Sequence, residues 1–265
     1  MRILLTGADG FIGSTLAAAL AARGHVLTLA VRDVRRAAQR WPGRQTIAVD
    51  FARDHRVDDW RPRLAGIDAV INTVGIFHEQ GGQTFDALHV RAPVALFEAC
   101  VEAGVRRVVQ VSALGAAADA PTAFLRSKHA ADAALAAMPL SSVVVRPSLV
   151  FAPEGASARL FLQLASLPWI PLPGDGRQCV QPIHRDDLVA ALVALVEADA
   201  PPRLLAAVGP EPLALRDYLA ALRGGLRSGR ARFLPIPLRA MDAVANLGAK
   251  LQSPLVDSEA LEMLA

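Results

Sequence analysis

One short stretch constrains this chain more than any other: Arg-Ile-Leu-Leu-Thr-Gly-Ala-Asp-Gly-Phe-Ile-Gly at residues 2–13. Ile3, Leu4 and Leu5 form an uninterrupted apolar run, as in a strand buried on both faces. Gly7, Gly10 and Gly13 follow at three-residue spacing, and residues 14–23 read as an Ala-rich helix stopped by Gly24. Strand, glycine turn and helix in that order are the context a dinucleotide-binding turn requires. Gly7 permits the sharp turn, Gly10 lets the backbone approach a pyrophosphate, and Gly13 lets the helix pack closely on the strand. The N–H groups of Phe11 and Ile12 would then point at the phosphates, with the helix dipole behind them. A glycine-rich turn without a ligand is the alternative.

From residue 2 to about 150, strand and helix patterns alternate almost without interruption, which predicts a parallel α/β sheet. Further strands are expected at 25–31, 45–49, 67–73, 105–111 and 140–145, with helices near 33–40, 54–65, 83–103 and 122–138. Gly66, Gly104 and Pro139 stop several of them. After Pro147 the texture changes. Prolines 153, 168, 171, 173 and 182 punctuate a loop-rich stretch with one helix at about 156–167. Helices at 186–198 and 213–222, a strand at 204–208 and loosely bounded helical stretches from 233 to 265 complete it. The expectation is a doubly wound, Rossmann-type sheet at 1–150 and a smaller lobe at 151–265 built onto it. The chain stops at Ala265 in a helical pattern without a stop signal, which leaves truncation before a further domain open.

With 53% hydrophobic residues the chain can bury one good core. Formal net charge is only +3 and the charges are scattered, without a basic arm, aromatic platform or finger spacing, so nucleic acid is not an expected partner. Cys100 and Cys179 have no metal or redox spacing and fit a reducing cytoplasm. The N-terminus begins directly in a strand, leaving no room for a signal peptide. Apolar stretches such as 188–196 are too short to span a bilayer.

Arg32 closes the second strand, followed by Asp33, Arg35 and Arg36. A carboxylate there bonds the ribose hydroxyls of NAD, whereas an arginine suits the 2′-phosphate of NADP. Arg32 comes first, which leans slightly to NADP over NAD; a solvated basic helix start is the alternative.

Six motifs then occur in order across residues 1–190: T-G-x-x-G-x-x-G from Thr6, Asn72-Thr73-Val74-Gly75, Val111-Ser112-Ala113-Leu114-Gly115, Phe124-Leu125-Arg126-Ser127-Lys128, Val145-Arg146-Pro147-Ser148 and Gln181-Pro182-Ile183-His184. Together they resemble the short-chain dehydrogenase/reductase superfamily, in its extended (epimerase/dehydratase-like) and atypical branches. The wording S-A-L-G and L-R-S-K most resembles bacterial relatives of the nucleotide-binding accessory subunit of respiratory complex I.

The resemblance implies roles. Asp50 would bond adenine, unless it merely caps the segment after it. Thr73, Val74 and Gly75 would line the adenine ribose and the approach to the nicotinamide, and Pro147 the turn passing the carboxamide. Ser112 would bond a substrate oxygen. Lys128 would hold the cofactor ribose. His78, Gln181 and His184 are candidates to reach substrate, although His78 also reads as an ordinary surface histidine. Asp186 and Asp187 read as first-turn helix caps. The departure is Phe124, which stands where active members carry the tyrosine that acts as general acid and base. Losing such a group typically costs about 100- to 10,000-fold in rate. Tyr218, the only tyrosine, lies in an amphipathic helix where packing explains it.

Two readings stay open. One is an oxidoreductase or epimerase/dehydratase acting on a small carbonyl, sugar-nucleotide or quinone with Ser112, Lys128 and an unidentified proton donor. The other is a non-catalytic dinucleotide-binding structural, assembly or sensor protein. A homodimer is left open.

Overall fold

The computed structural model describes residues 1–237. The chain forms two compact units. The first comprises Met1–Pro147 with Asp186–Ala207; the second comprises Ser148–Arg185 with the residues from Val208 on.

The first unit is built on β1 (Arg2–Thr6), β2 (Val26–Val31), β3 (Gln45–Ala48), β4 (Ala69–Asn72), β5 (Arg107–Val111) and β6 (Ser142–Pro147). These and the late strand Leu204–Ala207 form one parallel sheet in the order Leu204–Ala207, β6, β5, β4, β1, β2, β3. The chain runs outward from β1 through β2 to β3, then returns to the other side of β1 for β4, β5 and β6. The order therefore reverses between β1 and β4, and ligands of such sheets bind at the carboxyl ends of the strands flanking that point. The near-complete burial of Ile3, Leu4, Leu5, Val70, Ile71, Val108 and Val109 matches the apolar runs from which these strands were expected.

Helices α1 (Phe11–Ala22), α2 (Val34–Arg40), α3 (Val57–Trp60), α4 (Ala92–Glu102) and α5 (Ala123–Ala137) connect the strands. Two differ from expectation for local reasons. Only Val57–Trp60 of the 54–65 segment is α-helical. Asp54 instead closes a turn, accepting the Asp50 N–H at 2.8 Å, and Arg61–Leu64 tightens into a 3₁₀ turn containing Pro62. The segment expected to be helical from 83 begins at Asp86 and is widened into a π-type turn up to Arg91. Pro93 lies in the first turn of α4. Its ring would crowd the carbonyl of residue 89 in a regular helix, and widening the turn relieves that contact.

The 204–208 strand was expected in the second lobe. It pairs instead with β6, Leu205 facing Val145, so residues 186–207 return to the first unit and a boundary at 150 misplaces them. The helix Arg185–Glu197 leads back to it. Arg107 caps that helix's end, donating to the carbonyls of Leu195 at 3.1 Å and Ala198 at 2.5 Å.

The second unit packs the helices Ala156–Ser166 and Leu215–Gly225 around Phe161, Ile170, Leu172, Tyr218 and Leu219. Three small strand pairs surround them: Val150–Phe151 with Ile183–His184, Cys179–Val180 with Leu213–Ala214, and Ile170–Pro173 with Phe233–Ile236. The buried Arg223 guanidinium donates to the carbonyls of Ala165 at 2.7 Å and Leu167 at 2.6 Å, closing the end of the first helix. Tyr218 meets Phe161 edge to face at 5.5 Å, and burial pushes its phenol up to about 12, as its expected core role requires. Helical stretches were expected from 233 to 265; Phe233–Ile236 is instead a strand paired with Ile170–Pro173, and residues 238–265 lie outside the described residues.

Candidate functional site

The glycine turn joins β1 to α1 at the carboxyl edge of the sheet. Gly7 has φ of +70°, and a Cβ there would meet Thr73 Oγ1 at 2.7 Å. A Cβ at Gly13 would strike the Gly7 carbonyl oxygen at 2.1 Å. The tight contact at Gly13 is thus with the turn itself, slightly short of the strand on which it was expected. Gly10 caps α1 without a side chain and donates its N–H to the Gly7 carbonyl at 2.9 Å. The result is a tight backbone turn ending in the first turn of a helix, where Phe11 and Ile12 are half-buried. A turn so shaped fits a pyrophosphate, and a side chain at Gly7 or Gly13 would destroy it.

The turn is braced from β4. Thr73 donates its hydroxyl to the Thr6 carbonyl at 2.8 Å, so its role includes pinning the loop. Below it the strand register aligns Thr6 with Asn72 and Asn72 with Gln110. Their buried side chains form a chain of hydrogen bonds, Thr6 Oγ1 to Asn72 Oδ1 at 2.5 Å and Asn72 Nδ2 to Gln110 Oε1 at 2.7 Å. A buried polar chain fully paired in this way fixes three strand ends against one another. Gln110 escaped the sequence reading because its partner is defined only by register.

Thr122 caps α5, accepting the Leu125 N–H at 3.2 Å. One turn apart on the helix, Phe124 and Lys128 are both buried. Lys128 Nζ lies 3.3 Å from the Val74 carbonyl and 3.4 Å from that of Val111, and 3.0 Å from where a Gly75 Cβ would be. Burial brings its ammonium down to about 8, against the opposing attraction of Asp132. The lysine therefore touches the turn after β4.

Phe124 sits in an aromatic cluster. Its ring stacks on Phe77 at 5.3 Å and meets Phe85 at 6.0 Å and His89 at 5.6 Å edge to face. His89 was missed by the sequence reading. Its Nε2 accepts the Ile76 N–H at 3.0 Å, while Nδ1 lies 2.9 Å from Ser127 Oγ. Since Ser127 gives its own hydrogen to the Phe124 carbonyl at 2.7 Å, His89 must donate from Nδ1. Both ring nitrogens are used and the imidazole is neutral. Burial, reinforced by Lys128, depresses it to about 2. It has no proton to offer a substrate.

Ser112, just after β5, is buried. Its hydroxyl donates to Asp132 Oδ2 at 2.7 Å, and Arg146 donates to the same oxygen at 3.1 and 3.0 Å. The hydrogen expected to reach a substrate oxygen is committed to this carboxylate. Burial pushes Asp132 up, opposed by Ser112 and Arg146. Asp132 lies four residues after Lys128, the helical spacing that could have revealed it.

Other candidates disperse. Arg32, exposed, donates to Gln83 at 3.2 Å. Asp33 caps α2 by accepting the Arg36 N–H at 3.0 Å. A small cavity beside them is lined by Asp9, Asp33, Arg36, Ala37, Arg40 and Trp41, bringing Asp9 of the glycine turn together with Arg36, already named from the sequence, and Arg40, which was not. Asp50 accepts the Ala52 N–H at 3.0 Å, the capping alternative. Pro147 ends β6 buried, its carbonyl accepting the Leu114 N–H at 2.9 Å. His78 is exposed. In the second unit Gln181 donates to the Gly209 carbonyl at 2.6 Å, and His184 is exposed beside Phe151.

A model of the NAD(P)H-binding family matches residues 7–199. The chain belongs to that family. It is a short-chain dehydrogenase/reductase of the atypical, epimerase/dehydratase-like kind, with the Rossmann-type fold expected. Among relatives of this NAD(P)H-binding protein is the mitochondrial NADH dehydrogenase [ubiquinone] 1 alpha subcomplex subunit 9 of Arabidopsis thaliana. It is 30% identical over 73% of this chain and 49% of its own length. The chain thus spans about half of that subunit. A 3-diazoavenalumate denitrifying reductase of Streptomyces is 29% identical over 90% of this chain and 86% of the relative. Among solved structures, UDP-glucuronic acid 4-epimerase from Bacillus cereus in complex with NAD superposes with a TM-score of 0.71 at 19% identity. The match covers 89% of this chain and 86% of that one, and shows the shared fold. Among the described residues no helix is long and apolar enough to cross a membrane, and no group of three or more His, Cys, Asp or Glu could hold a metal.

Proposed function

We propose that this protein is an NADP(H)-dependent reductase of a small-molecule acceptor, working without the tyrosine acid of its superfamily. The observation that carries the reading is the glycine turn at the head of α1, too tightly packed at Gly7 and Gly13 for any side chain, with Lys128 reaching the adjoining turn after β4. The backbone N–H groups of Phe11 and Ile12 bind the pyrophosphate, and Lys128 holds the ribose. Bound there, the cofactor supplies a hydride. Phe124 and its aromatic neighbours keep water from one side of the site. Ser112, with Arg146, holds Asp132 and through it steadies α5; it acts as support and not on substrate. The reductase that matches along most of both chains favours this reading over epimerisation.

NADP(H) is preferred because Arg36 and Arg40 share a cavity with the glycine turn, whereas the Asp33 carboxylate is engaged in capping. Arg32, the first candidate from sequence, is secondary to them. The unpaired cysteines Cys100 and Cys179 accord with a cytoplasmic setting.

A second reading, a non-catalytic dinucleotide-binding protein, draws on Phe124 itself. Thermal unfolding with each dinucleotide, followed by turnover, separates the two. NADPH at about 100 times its dissociation constant adds about 2.7 kcal/mol of stability, and NADH requires a higher concentration to match it. Arg36→Ala with Arg40→Ala erases a preference of about tenfold or more, the worth of charge-assisted bonds to phosphate. Absence of protection by either dinucleotide overturns cofactor binding. An unchanged preference overturns the role of the arginines. Binding without turnover of any acceptor decides for the second reading.

A further inference from the structure

The aromatic cluster beside Lys128 has a feature that packing alone leaves unexplained. Phe124 and Phe85 are buried, yet Phe77, stacked on Phe124, is 60% exposed. It follows Gly75 and Ile76 in the turn after β4, at the carboxyl edge of the sheet. Leu114, in the loop after β5, the neighbouring strand, is also exposed. An apolar ring is thus presented next to the lysine. Three polar groups around it are committed elsewhere: Ser127 donates to the Phe124 carbonyl, Ser112 donates to Asp132, and His89 is held neutral with both ring nitrogens engaged.

We propose that Phe77, backed by the buried ring of Phe124, forms a stacking platform for a planar, conjugated, electron-poor acceptor, one able to take a hydride without simultaneous protonation by the protein. This rests on the reductase reading above. A saturated ketone would become a localised alkoxide, which needs an acid at the oxygen, and Phe124 offers none. A conjugated acceptor differs. The incoming electron pair forms the new bond to hydrogen, and the acceptor's π pair moves to a distant heteroatom as a delocalised anion. The reduced dinucleotide is the electron donor and leaves oxidised; solvent later protonates the anion. The Lys128 ammonium, buried near the platform, favours that developing charge. The ring faces supply offset stacking.

Lumiflavin serves as the probe because it is planar, conjugated and carries no phosphate. Its fluorescence should be quenched on binding to the wild-type protein, and NADPH should reduce it while cyclohexanone stays untouched. Phe77→Ala should weaken lumiflavin binding about tenfold, with Phe77→Tyr close to wild type. Thermal protection by NADPH should be the same in all three proteins. Because Phe77 is exposed, its replacement leaves the core intact. The hydride step should run at the same rate in deuterium oxide as in water; a clearly slower rate in deuterium oxide would show a protein proton moving in that step and overturn the proton-free transfer. Lumiflavin binding that ignores Phe77→Ala, or reduction of cyclohexanone at a comparable rate, overturns the platform. If NADPH fails to protect the wild-type protein, the underlying cofactor reading fails instead.

Discussion

Gly13 is the residue on which the cofactor site turns most sharply. Its missing Cβ would come within 2.1 Å of the Gly7 carbonyl oxygen, a backbone atom that cannot rotate aside. Gly13→Ala must therefore move the turn or the start of α1. The expected result is a loss of about 1–3 kcal/mol in stability, the usual cost of overpacking, together with loss of dinucleotide protection. Thermal melts with and without NADPH check both, and retained protection would show that the turn is not the phosphate site. The spacing of three glycines was readable from residues 2–13. The collision partner was not, because a carbonyl six residues back becomes a neighbour only once the turn has closed.

At the scale of elements, the widened turn Asp86–Arg91 shows how a local break places a side chain. Pro93 disrupts the regular helical ladder, and His89 ends up beneath Ile76 and beside Phe124. Its folded-state value of about 2 lies below the ordinary 6.5, so the unfolded chain binds the proton more readily. Stability linked to His89 is therefore full above about pH 6.5 and is lost as the pH falls below it. Between pH 7 and 5 the expected loss is about 2 kcal/mol. Denaturant midpoints across that range should show it, and His89→Gln should flatten the curve; an equal slope in the variant would refute the assignment. Loop 73–77 is expected to loosen first on acidification, since Ile76 N–H loses its acceptor. None of this was legible beforehand, because a histidine inside an Ala-Leu-rich helix carries no mark of which neighbours its nitrogens will meet.

At the scale of the molecule, the sheet is discontinuous in sequence. The strand Leu204–Ala207 crosses back to complete the sheet edge at β6, after the chain has visited the second unit. Leu205→Pro removes a donor from that pairing and should destabilise the protein by several kcal/mol. Hydrogen exchange locates the effect: amides of Val143–Val145 in β6 should lose protection. Protection unchanged in β6 would mean that the late strand does not belong to the first unit.

What the amino-acid order determined alone was whatever depends on neighbours within a turn or two: apolar runs that had to become buried strands, and glycines at a turn only glycine can make. These follow from local sterics and from the period of side-chain burial. Tertiary structure decided the rest. It paired Ser112 with Asp132, gave Lys128 its carbonyls, stacked Phe77 on Phe124 and returned Leu204–Ala207 to the first sheet. Each of these pairings joins residues brought together by sheet register or helix docking, and the free energy that selects them exists only once water has left the space between.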